Sequence, residues 1–72
     1  MDRIEALRKI VKERQAQEID GTLVDLFSAS AVVGVYDRLS EKNQAKFREH
    51  DVRTMIAIAF EIKDRLEAKR GS

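Results

Sequence analysis

The side chains of this sequence that could do chemistry are few and scattered. His50 is the single imidazole, and there is no cysteine. A structural or catalytic metal needs clustered His, Cys or carboxylates. His50 beside Asp51 reads instead as a pair at a helix junction. Ser28 and Ser30 offer hydroxyls, but a serine nucleophile needs a base next to it. Both serines lie inside an apolar run, far along the chain from His50. Asp25 and Asp37 are the carboxylates worth testing as a dyad. On a helix of about 3.6 residues per turn they stand more than three turns apart, too far to share a reacting atom. No glycine-rich loop is present to cradle a phosphate. The expectation is a protein that is not an enzyme, with no catalytic residue, no metal and no cofactor.

The elements that must hold these residues are organised around Leu23–Tyr36, LVDLFSASAVVGVY. Read as a helix, this run is apolar on nearly every side, which places it either in a membrane or buried among neighbours. A span needs roughly 20 apolar residues. This run is shorter, contains Asp25 and stops at Asp37 and Arg38. A buried central helix is the better reading. Val32, Val33, Val35 and Tyr36 are strand formers, and Gly34 could mark a bulge. The run has no internal turn signal and no evident strand partner, so helix is preferred. Ser30, Gly34 and the neighbouring Ala31 make a shallow groove where a second helix could approach closely. The competing account of Gly34 is relief of crowding beside Phe27 or Phe60.

Around this centre the periodicity predicts three more helices. The first spans Arg3 to Gln17, capped by Asp2, with Ile4, Leu7 and Val11 in one stripe and Ile10 flanking. Glu5–Lys9 and Lys9–Glu13 are spaced to pair along its outer face. Ile19 is expected to tuck back onto the core. Asp20-Gly21 is the clearest break. Gly21 is expected to stop the first helix, Thr22 to cap the second, and Asp25 to complete a capping box. The second helix ends near Leu39. Ser40 caps a short third helix, Glu41–Glu49, and Asp51 caps the fourth. In the fourth, Val52, Ile56 and Phe60 form one row, and Met55, Ala59, Ile62 and Leu66 another, with Ile58 at the edge. Glu61–Arg65 and Lys63–Glu67 are spaced to pair along its charged end. The fold class is thus all-α. A four-helix bundle-like domain, three main helices plus one short connecting helix, surrounds a buried central helix. It is one domain over residues 1–72.

Composition limits the partners. The 72 residues carry 14 basic and 13 acidic side chains, a net charge of +1. So balanced a charge argues against bulk nucleic acid or an anionic membrane as the dominant partner. The absence of cysteine excludes a disulfide framework. The charged start, MDRIEALRK, is not expected to act as a signal peptide, so the expected location is the cytoplasm. Gly71-Ser72 carries no weight in this reading. A domain this small buries only about 60% of its unfolded surface, and with no staple available, association is the expected support.

The run IDGTLVDLFSASAVVGVYDRLSEKNQAKF, followed by VRTMIAIAF, resembles a group of small proteins of bacteriophage and prophage genomes, especially those of actinobacterial hosts. Their shared pattern is a variant of VDG-LVDLFTASAI-AVYD-LNEANQAK before a second apolar helix. The matching positions are Asp20, Gly21, Leu23, Val24, Asp25, Leu26, Phe27, Ala29, Ser30, Ala31, Val35, Tyr36, Asp37, Leu39 and Asn43. They span about the middle two thirds of the chain. The resemblance implies a phage origin, hence a bacterial host cell, and it transfers no catalytic residue.

The leading functional expectation is a module that works by protein–protein contact, as a homo-oligomer with a dimer favoured, or with a host or phage protein. The expected interface residues are Phe27, Val32, Tyr36, Ile58, Phe60 and Ile62, whichever stay exposed in one protomer. Tyr36 is preferred as an aromatic with a polar tip. The alternative is a nucleic-acid-binding regulator. Arg38, Lys42, Asn43, Lys46, Arg48 and Arg53 gather donors around the third helix, while Glu41, Glu49 and Asp51 dilute the field. A third reading, insertion of Leu23–Tyr36 into a membrane after the bundle opens, conflicts with Asp25 and the capping signals.

Overall fold

The computed structural model describes residues 2–70, with side chains described as far as Arg65. Its elements run α1 (Arg3–Glu13), β1 (Gln17–Ile19), β2 (Thr22–Val24), α2 (Leu26–Arg38), α3 (Glu41–Phe47) and α4 (Val52–Arg70). The molecule is mostly helical, as expected, but a short two-stranded hairpin stands where the all-α reading had only a break.

Helix α1 starts where Asp2 accepts the amide of Glu5 at 2.8 Å. Ile4, Leu7 and Ile10 form its buried face. Ile10 is fully buried and Val11 only half, the reverse of the expected stripe and flank. Lys9 and Glu13 pair at 3.9 Å. The helix ends earlier than expected because Arg14 turns left-handed, with φ 56°, and donates its amide to the Ile10 carbonyl. The residues after it then extend into β1 instead of prolonging the helix.

Asp20-Gly21 is the turn of a hairpin. Ile19 pairs with Thr22, Glu18 with Leu23 and Gln17 with Val24. A two-residue loop between strands of right-handed twist favours the turn in which both central residues have positive φ. Asp20 has φ 53° and Gly21 φ 74°. Strand alternation sends Ile19 and Val24 into the core and leaves Glu18 and Leu23 outside. Thr22 therefore lies in a strand rather than at a helix cap. Asp25 is itself the cap of α2, accepting the Ser28 amide at 2.7 Å. Its carboxylate has a structural task, as expected, but by a different contact.

Ser40 accepts the Asn43 amide at 3.3 Å and starts α3. That helix stops at Phe47, short of the expected Glu49, and Phe47 is buried against Tyr36 with ring centroids 6.1 Å apart. Asp51 caps α4 through the Thr54 amide at 2.8 Å. Arg65 and Glu61 pair at 2.7 Å. The expected Lys63–Glu67 pair, Leu66 as a core residue and Gly71-Ser72 fall outside the described side chains.

The core is filled by Leu7 and Ile10 of α1, Val24 of the hairpin, Val32 of α2, and Val52 and Met55 of α4. Helix α2 packs against both α1 and α4. It is central, but it is not enclosed. Only the face carrying Ala29, Val32 and Tyr36 is buried.

Candidate interaction surface

At about 100° per residue, Ala29, Val32 and Tyr36 occupy one side of α2. Phe27, Ser30, Ala31, Gly34, Val35 and Arg38 occupy the opposite side. Those six residues, with Leu39 after the helix and Ile62 and Lys63 of α4, line an open groove of about 370 Å³. Helix α2 thus has two apolar faces, one spent on the core and one turned outward.

The groove has a fixed aromatic at one end. Phe27 is 62% exposed. Its ring stacks on Phe60 with centroids 5.6 Å apart, and the Lys63 ammonium lies 4.8 Å from its centre. These neighbours orient the ring without covering it. Leu23, 74% exposed, and Leu26, 37% exposed, extend the run of uncovered apolar side chains. Toward the other end the wall drops away at Gly34, where an added Cβ would meet nothing within 4 Å. Crowding beside Phe27 or Phe60 therefore does not explain this glycine. Gly34 instead lines the open groove.

Of the expected interface residues, Phe27 and Ile62 line the groove, Phe60 backs Phe27, and Ile58 is half-buried against the core. Val32 and Tyr36 are corrections. Val32 is fully buried and Tyr36 is 4% exposed, so a closed protomer offers neither to a partner. Tyr36 points inward because its polar tip is satisfied there: its hydroxyl accepts from Arg48 Nε, and the Arg48 and Arg8 guanidinium carbons stand 5.4 and 5.9 Å from the ring centre. Gln44 Nε2 donates to the Tyr36 carbonyl at 2.9 Å. The sequence reading missed Leu23, Leu26, Val35, Leu39 and Lys63 as surface apolar or groove residues.

The basic residues of the alternative reading are dispersed among tasks. Arg48 holds Tyr36 and lies 4.0 Å from Asp2. Arg38 sits at the groove mouth. Lys42, Asn43, Lys46 and Arg53 are exposed, interspersed with exposed Glu41, Glu49 and Asp51.

The flank of α2 is pinned by Arg8, which grips Asp37 through two hydrogen bonds of 3.3 and 2.5 Å. That contact pulls the Asp37 carboxyl below the usual carboxylate range. Asp25 is likewise lowered, mainly by the Ser28 amide. A second crevice, on Asp2, Arg3, Asp20 and Arg48, is occupied by its own ion pairs, Arg3 with Asp20 and Arg48 with Asp2. It serves as a staple between elements. Among the described residues no group of His, Cys, Asp or Glu is arranged to hold a metal, and no helix is long and apolar enough to cross a membrane. No protein-family model, no curated protein and no solved structure matches this chain.

Proposed function

We propose that this protein is a small non-enzymatic interaction module whose working surface is the α2–α4 groove. The observation that carries the reading is Phe27, a large aromatic side chain 62% exposed at the edge of an apolar groove, held in one orientation by Phe60 and Lys63. A pre-oriented aromatic loses little conformational freedom when a partner covers it, which is how interface anchors contribute most. The resemblance to small phage and prophage proteins supplies the proposed setting, a bacterial host cell, and leaves self-association or a host or phage protein as the partner.

The test is site-specific photo-crosslinking in the host cytoplasm. Benzoylphenylalanine in place of Leu26, beside the groove, gives discrete protein adducts, either with the chain itself or with another protein. The same probe in place of Lys9, on the exposed side of α1, gives none. Equal labelling from both positions, or none from Leu26, overturns the reading.

A further inference from the structure

We propose that Asp20-Gly21, the tip of the hairpin, is a self-modification site: Asp20 isomerises to isoaspartate when the contacts that hold its side chain let go, and the isomer no longer supports the hairpin.

The sequence supplies the reacting pair. Of the six aspartates and one asparagine in the chain, only Asp20 is followed by glycine. The amide nitrogen after an aspartate is the nucleophile for its side-chain carboxyl, and a side chain on that next residue crowds the approach. Gly21 has none. It is exposed, and the ladder pairs Ile19 with Thr22, leaving Gly21 out. The other aspartates are shielded: leucine follows Asp25, β-branched Val52 follows Asp51, and arginine follows Asp2, Asp37 and Asp64.

The step balances with water alone. From the protonated carboxyl, the Gly21 nitrogen attacks Asp20 Cγ. A C–N bond forms, and the carboxyl hydroxyl leaves with the amide proton as water. The product is a five-membered succinimide. Water then adds to one of its two carbonyls, and the C–N bond there breaks. Addition at Cγ restores aspartate. Addition at the Asp20 main-chain carbonyl leaves the chain running through Cβ and Cγ, which is isoaspartate. One water is released and one consumed, so the mass is unchanged and nothing is oxidised.

The fold holds this step back. Asp20 Oδ2 accepts from Arg3 Nε of α1 and from the Val52 amide of α4. For the ring to close, the carboxyl must leave both donors and turn onto its own main chain. Arg3 also keeps the carboxyl ionised, the form without a leaving hydroxyl. Isoaspartate adds one carbon to the main chain of a two-residue turn whose length sets the strand register. Ile19 and Val24 then lose the pairing that sends both into the core. The isomer reopens more readily than the parent, so each opening that ends in isomerisation is hard to reverse.

The experiment uses the full chain, held at 37 °C and pH 7 either native or in urea. Tryptic peptide 15–38 carries Asp20, Asp25 and Asp37 together, so fragmentation mass spectrometry compares them within one species. Isoaspartate is expected at Asp20 alone, slowly in the native chain and fastest in urea. Arg3→Ala, with an exposed pair removed, is expected to isomerise about two- to fivefold faster than the parent, because modification tracks the opened population. Arg3→Lys keeps the cation and stays closer to the parent rate. The purified isomer melts below the unmodified chain. Isoaspartate spread over all three aspartates, or an isomer that melts with the parent, overturns the proposal. So does a native rate equal to the rate in urea, a comparison that holds whether or not Arg3→Ala folds.

Discussion

The carboxylate of Asp20 accepts the backbone amide of Val52 at 3.2 Å across 32 residues of chain, while also pairing with Arg3. One side chain at a hairpin tip thus joins the first turns of α1 and α4. Asp20→Asn retains an acceptor and a residue that tolerates positive φ, but loses the charge that Arg3 meets. Asp20→Ala loses both and strains the turn. The expected order of melting temperature is wild type above Asn above Ala, checked by thermal circular dichroism.

Asp20, Asp25, Asp37 and Asp51 are all held below the ordinary carboxylate pKa. The main causes are, in turn, Arg3, the Ser28 amide, Arg8 and the Thr54 amide. A carboxyl that binds its proton less readily when folded adds stability above its unfolded value, about 3.9, and loses it as pH falls through the folded value. Urea midpoints are therefore expected to hold level from pH 7 to about 5 and to decline from there into the acid range. A flat profile down to pH 3 contradicts these contacts.

Arg14 adopts φ 56° without being glycine. At the end of a helix this conformation favours glycine, and a non-glycine residue there is held at a cost. Arg14→Gly relieves that cost and concedes part of it to the looser unfolded chain. The net expectation is a gain of about 0.5–1 kcal/mol, or roughly 2–8 °C in melting temperature for a chain this short. Arg14→Ala is expected to show no such gain.

The two faces of α2 and its surroundings should separate cleanly in mutagenesis. Leu7, fully buried, is expected to cost about 2–5 kcal/mol on truncation to Ala, enough to unfold much of a small domain. Tyr36→Phe removes only the hydroxyl that accepts from Arg48 and should cost about 0.5–1.5 kcal/mol. Phe27→Ser, on the outward face, is expected to change protomer stability by less than about 1 kcal/mol despite deleting an aromatic ring. Denaturant titration at low protein concentration tests all three.

The helices were readable because their caps and periodicity agree. Asp2, Ser40 and Asp51 each sit at the start that their side chain satisfies. The hairpin was missed although Asp20-Gly21 is a turn pair with a short apolar-containing segment on each side. Three-residue strands leave too little alternation to compete with a helical reading of Leu23–Tyr36. That error moved the start of the central helix by three residues and concealed Asp25 as its cap. The groove was half legible: Ser30, Ala31 and Gly34 announced a close approach, but only packing could show that Val32 and Tyr36 face inward. Tyr36 looked like a surface aromatic because its hydroxyl partner, Arg48, lies on another element.

Gly34 is the residue a stability engineer would replace first. It sits mid-helix, an added methyl group meets nothing, and alanine there should improve the isolated protomer by about 1 kcal/mol. Selection for thermal resilience alone would therefore erode the vacant notch, while selection for binding would defend it. Directed evolution under those two pressures should drive position 34 in opposite directions, and the outcome would show which demand shaped this helix.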